Sequence, residues 1–126
     1  MRNVILSKIL WGFDGGKRTI QEEFVKELVQ YNLDIDEREI DLNEIVIKNR
    51  EITVAYEFYN EEDEEIYRQF RLIADNVKGF TIGELLYKIH NEVIEDLENE
   101  DGEFFEGLTE NGEQENIPLY DLNYSS

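Results

Sequence analysis

Residues 81–108, TIGELLYKIHNEVIEDLENEDGEFFEGL, constrain the fold more than any other stretch, because a strong helical pattern there runs directly into an acidic segment. Ile82, Leu85, Leu86, Ile89, Val93 and Leu97 recur at three- and four-residue steps, so one apolar stripe extends along about four turns of helix. Thr81 with Glu84 matches a capping box, in which the hydroxyl and the carboxylate each satisfy an otherwise orphaned amide. The pattern predicts a helix from Thr81 to about Asn99, broken at Gly102, whose stripe forms the main helical part of the core.

Charge is distributed unevenly around this helix. The net charge is −19 at pH 7, and no Lys or Arg follows Lys88, while the last 38 residues carry twelve carboxylates. A chain this acidic offers no basic patch for phosphates, which disfavours direct nucleic-acid binding and, for the same reason, an anionic membrane surface. With 40% apolar and 12% aromatic residues, 126 residues can bury roughly two thirds of their unfolded surface as one domain. Residues from about 99 read as an acidic, loop-rich C-terminal part of that domain. No cysteine is present, which removes disulfides, thiolate catalysis and Cys-ligated zinc. The N-terminal apolar run is broken by Ser7 and Lys8 and lacks a small-residue cleavage site, and no run reaches membrane-spanning length; the expectation is a cytoplasmic protein.

Along the chain, Val4 to Phe13 reads as a buried strand, with a short helix as the alternative, and Phe13-Asp-Gly-Gly-Lys17 as a turn without the spacing of a phosphate loop. A second capping-box pattern, Thr19 to Glu22, opens a helix over about 19–31 whose stripe is Ile20, Phe24, Leu28 and Tyr31. Residues 32–43 read as a polar connection; Asp34, Asp36 and Asp41 lack the glycine and the terminal glutamate of a calcium loop. Ile45 to Ile47, a turn at Asn49-Arg50, and the alternating Ile52, Val54, Tyr56, Phe58 read as a hairpin. NEEDEE at 60–65 fits a charged loop leading into a strand, with a helix over 66–77 as the alternative. The strand is preferred because Arg68 and Arg71 could then oppose acids of the preceding strand. Pro118 to Tyr124 reads as a last, edge strand, where proline is tolerated. The expected fold is α+β: an antiparallel sheet of four or five strands with two amphipathic helices on one face.

The residues point away from catalysis. His90 is the one histidine, its helical neighbours at three and four places are Leu86, Tyr87, Val93 and Ile94, and the expected role is that of a partly buried helix-flank residue. The serines are Ser7, Ser125 and Ser126, which argues against a Ser-His-Asp hydrolase. Thirty-one acids make any glycosidase-like pairing uninformative. No catalytic residue, metal ligand or cofactor is expected.

The candidate binding surface is Glu92, Glu95, Asp96, Glu98, Glu100, Asp101, Glu103, Phe105 and Glu106, a negative field beside an aromatic anchor. In character, residues 81–108 with the acidic extension to Glu115 resemble bacterial immunity proteins that neutralise cationic toxins, commonly nucleases. That resemblance implies occlusion without a cofactor: Glu95, Asp96, Glu98, Glu100 and Asp101 would occupy the groove in which a basic toxin takes its phosphate backbone. Two other readings share the composition, a phage-type DNA-mimic inhibitor of a host or defence nuclease and an accessory protein whose acidic surface merely solvates it.

Overall fold

The computed structural model describes residues 3–37, 39–97 and 103–125. The elements in chain order are β1 (Val4–Ile5), α1 (Gln21–Asp36), β2 (Ile45–Ile47), β3 (Glu51–Tyr59), β4 (Glu65–Ile73), β5 (Phe80–Thr81), α2 (Ile82–Leu97), β6 (Phe104–Gln114) and β7 (Ile117–Ser125). Five strands form the main sheet in the order β1-β6-β7-β3-β4, and β2 pairs with β5 in a separate two-stranded sheet. Every pairing is antiparallel except β3 with β7. The expected α+β architecture is therefore present.

α2 buries the whole expected stripe, with Leu85, Ile89, Val93 and Leu97 at 0% exposure, and adds His90 and Ile94 to it. Opposite lie the helix-facing residues of β3, Ile52, Val54, Tyr56 and Phe58, with Leu72 of β4, and Leu108, Tyr120 and Leu122 of β6 and β7. Thr81 Oγ1 accepts the Glu84 amide at 3.2 Å, the first half of the capping box. The Glu84 carboxylate does not return to the cap; it accepts the Asp75 amide at 2.7 Å and the Lys88 ammonium at 2.8 Å. The remaining orphan amides at the start of α2 are met by backbone: Ile82 donates to Glu44 O and Gly83 to Leu42 O. This docking of 42–47 against α2 corrects the expected hairpin. β2 pairs with β5, and β3 pairs with β4 and β7 instead. Gly79 permits the close approach, since its φ is +124° and a Cβ there would meet Ile47 O at 2.0 Å.

α1 departs from expectation at both ends. It starts at Gln21 with no side-chain cap, leaving Ile20 half exposed, and continues through Asn32 to Asp36. Asn32 had read as the first residue of a loop, but its side chain turns inward. Its amide donates to Leu10 O and Leu28 O and its carbonyl accepts the Leu10 amide, so a polar residue takes the next place in the buried series Phe24, Leu28, Asn32. Asp34 and Asp36 are helical residues, not loop ligands.

The segment 60–77 is resolved in favour of the strand, and β4 matches β3 over nine consecutive pairs from Glu51 with Ile73 to Tyr59 with Glu65. The region after residue 103 is not loop-rich. Phe104–Gln114 and Ile117–Ser125 form a hairpin whose connecting residues, Glu115 and Asn116, both have positive φ, the backbone of a tight two-residue turn. β7 is central rather than an edge strand. Pro118 is accommodated because β3 pairs only with Leu119 to Asp121, beyond the proline. Among the described residues, no helix is long and apolar enough to cross a membrane.

Candidate partner-binding surface

Residues 9–18 form a strap that the two helices grip from below. Asn32 of α1 holds Leu10, and Asn91 of α2 accepts the Arg18 amide and donates to the Arg18 carbonyl, both at 2.8 Å. Between them His90 joins strap to helix at 0% exposure, well beyond the partial burial expected of it. Trp11 Nε1 donates to His90 Nδ1 at 3.1 Å, which leaves the ring proton on Nε2 to be donated to Gly16 O at 2.8 Å. Burial pushes the His90 pKa down, because the charged form would lose its hydration. The glycine pair of the turn wraps a cation instead of a phosphate: Arg18 Nη1 donates to Gly15 O and Gly16 O, each at 2.9 Å, while Glu27 takes the other side of the guanidinium.

Of the nine residues expected to form one acidic surface, the six that the structure describes differ in placement. Glu92 and Glu95 are exposed on α2, and Glu95 pairs with Lys17 at 3.2 Å. Asp96 turns toward the sheet, where the Tyr56 hydroxyl and Arg68, at 2.9 Å, both donate to it. Glu103 is buried. Phe105 is sealed in the core at 3% exposure and cannot act as an accessible anchor. The two-residue period of β6 turns Phe104 outward instead, at 45%. Glu106 is exposed and accepts the Ser125 hydroxyl at 2.7 Å. Glu98, Glu100 and Asp101 lie outside the described residues. Although no Lys or Arg follows Lys88, cations from earlier in the chain reach three of the late carboxylates: Lys17 pairs with Glu95, Arg68 with Asp96 and Arg71 with Glu115.

A different surface gathers acid and accessible aromatics. Among the described residues no element covers the face of the main sheet turned away from the helices, and a groove of about 910 Å³ runs over it. Glu57, Glu65, Glu106 and Asp121 line it together with Tyr59, Tyr67, Asn111 and Asn123, and among the described residues no Lys or Arg does. Tyr59 and Tyr67 are 58% and 54% exposed. The adjacent Glu65 raises the Glu57 pKa, first through a shared hydrogen bond and then by repulsion, and Asp121 adds to the effect. Two hydrogen bonds brace the floor of the groove: Asn111 donates to Asp121 at 3.0 Å and Asn123 to Thr109 at 2.7 Å.

A second groove of about 690 Å³ lies around the end of the β3–β4 hairpin, lined by Glu61, Asp63, Glu95 and Asp96 with Phe58, Ile66 and Arg68. Among the described residues its one cation is tied back, for the Arg68 guanidinium lies 5.1 Å from the Phe58 ring centroid and bonds Asp96. Burial, followed by the bond to Asp96, raises the Tyr56 pKa, so this tyrosine is a fixed donor at any physiological pH. Tyr59 lines both grooves and so sits on the ridge between two acidic walls. Sequence reasoning missed this surface, although the signal was present. The polar phase of β3, Thr53, Ala55, Glu57 and Tyr59, faces the polar phase of β4, Glu65, Tyr67 and Gln69.

Among the described residues, no group of three or more His, Asp or Glu side chains is placed to hold a metal ion. No family model, curated protein or solved structure matches the chain.

Proposed function

We propose that this protein is an inhibitor of the immunity type, which binds a basic protein, a nuclease toxin being the class that fits best, and blocks it by occupying its phosphate-binding groove. The observation that carries the reading is the Tyr59 ridge: two exposed tyrosines flanked by the carboxylates of Glu57, Glu65, Glu106 and Asp121 on one side and Glu61, Asp63 and Glu95 on the other. Carboxylates in that density steer a cationic partner and suppress others, while tyrosines supply area with little rotamer entropy to lose. A net charge of −19 lengthens the reach of the field at low salt. Inhibition then needs no catalytic group, because the acidic wall competes directly with nucleic acid for the same cations.

The test is to titrate basic ribonucleases and deoxyribonucleases with the protein at low and high salt, following both binding and nuclease activity. At least one should be bound and inhibited, with affinity falling steeply as salt rises. The double variant Glu57→Lys with Glu65→Lys should weaken that complex by about a hundredfold, and Tyr59→Ala by about tenfold. Binding that ignores salt and both variants would refute the assignment of this surface. Absence of any salt-dependent complex across the panel would refute the function.

A further inference from the structure

The main sheet has two edges, and the chain treats them differently. On the β6 side the N-terminal segment covers the backbone: β1 pairs with Leu108 and Thr109, Glu110 donates to Asn3 O, Phe105 donates to Trp11 O and Phe13 donates to Glu103 O. On the other side β4 ends the sheet. Its nine pairs with β3 run without a register shift, and it contains neither proline nor lysine, devices that commonly blunt an edge.

The register also shows which backbone groups β4 leaves outward. Asn60 donates to Glu64 O beyond one end of the ladder and Ala74 to Arg50 O beyond the other. Because hydrogen-bonded and open pairs alternate in an antiparallel ladder, residues 66, 68, 70 and 72 bond inward to β3. Glu65, Tyr67, Gln69, Arg71 and Ile73 therefore aim their amides and carbonyls away from the sheet. Lys88 closes one end by donating to Ile73 O at 2.7 Å. The two arginines that could guard the rest are held elsewhere, Arg68 on Asp96 and Arg71 on Glu115 at 2.6 Å.

We propose that β4 is a docking strand, to which an extended segment of the basic partner adds as a further strand of the sheet; this rests on the function proposed above. The edge lies between the two acidic grooves, with Glu65 and Tyr67 in one and Ile66 and Arg68 in the other. A strand laid against it places alternate side chains on opposite faces. Those on the open face meet Glu65 and Tyr67 and are basic. Those on the helix side meet the half-buried Ile66 and Phe70 and are apolar. The partner segment thus alternates basic and apolar residues, and its main chain bonds Tyr67, Gln69 and Arg71. A second copy of this chain is the poorer occupant, since each copy brings a charge of −19.

The probe is a synthetic peptide of alternating lysine and valine, added at low salt while amide exchange is followed by NMR. The amides of Tyr67, Gln69 and Arg71 should slow by about tenfold or more, and those of Ile66, Arg68 and Phe70, already bonded to β3, should not change. Gln69→Pro removes one outward donor without touching the inward ladder and should weaken the peptide about tenfold. A peptide N-methylated on alternate residues makes the same test from the other side, independent of how that variant folds. Salt-dependent binding with no alternating protection, and no effect of either change, would overturn the docking strand while leaving the acidic surface intact. Failure of both the peptide and the basic nucleases to bind would overturn the functional reading as well. The same protection appearing without peptide, together with dimers in sedimentation, would overturn the choice of occupant in favour of a second copy.

Discussion

Replacing His90 by alanine tests whether the strap is held as described. The side chain is fully buried and both ring nitrogens are bonded, to the Trp11 indole and to Gly16 O. Truncation orphans one donor and one acceptor, each worth about 1–3 kcal/mol if no water reaches it. It also removes ring contacts with Trp11, Phe13 and Phe24, for which large-to-small core changes suggest about 2 kcal/mol more. The expected loss is about 4 kcal/mol, a large part of the roughly 5–15 kcal/mol typical of a domain. Urea unfolding followed by the fluorescence of Trp11 measures it directly, and a loss below about 1 kcal/mol would refute the clamp. pH supplies an independent check. Protonation would place a hydrogen on Nδ1 against the Trp11 N–H, and burial lowers the folded pKa below the ordinary value of 6.5, with Gly16, Arg18, Asp14 and Glu27 as lesser influences. The unfolded chain therefore binds the proton first as pH falls. The stability from His90 is complete above about 6.5 and is lost as pH descends toward the folded value, at up to about 1.4 kcal/mol per pH unit. The difference between wild type and His90→Ala should shrink across that window; a difference independent of pH there would refute the neutral tautomer.

Gly79→Ala should destabilise by about 3 kcal/mol or more, because the new methyl meets Ile47 O at 2.0 Å with φ at +124°; thermal unfolding checks this, and near-wild-type stability would contradict the packing of β2 on β5. Glu65→Gln should raise the melting temperature and return the Glu57 titration toward its ordinary carboxylate value, as read by side-chain carboxyl NMR. Tyr56→Phe should lose about 1–2 kcal/mol, since Asp96 keeps Arg68 but loses its hydroxyl donor, and combining it with Arg68→Ala in a double-mutant cycle should reveal coupling between the two donors.

The helix of residues 82–97 was legible in the sequence because its core contacts follow one period without interruption, and β3 was legible for the same reason with a period of two. What could not be read were positions where a polar residue does a buried job. Asn32 ended the expected first helix, yet it extends the buried stripe by satisfying the backbone of Leu10, a partner 22 residues away. His90 and Asn91 had no helical neighbours to bond because their partners lie on the strap more than 70 residues earlier. Strand order was hidden likewise. Ile45 to Ile47 pair with residues beyond the intervening hairpin because α2 needs carbonyls at its start, a demand that no local pattern expresses. Phe105 was assigned to the wrong side because, with no regular alternation around it, 103–108 did not read as a strand.

These long-range clamps determine which surface is left for binding. The strap packs against both helices and the N-terminal segment pairs along one sheet edge, which leaves the open sheet face and β4 among the exposed surfaces. That face is not a core layer awaiting a cover. Its floor is Thr53, Ala55, Thr109 and Asn123, and its large side chains are mostly tyrosine and carboxylate, so water satisfies it without a partner. A partner docking there would gain little from apolar area alone. Its affinity would have to come from charge, tyrosine contacts and strand pairing, which is why the complex should weaken steeply with salt while the fold, whose core lies on the other side of the sheet, should hold.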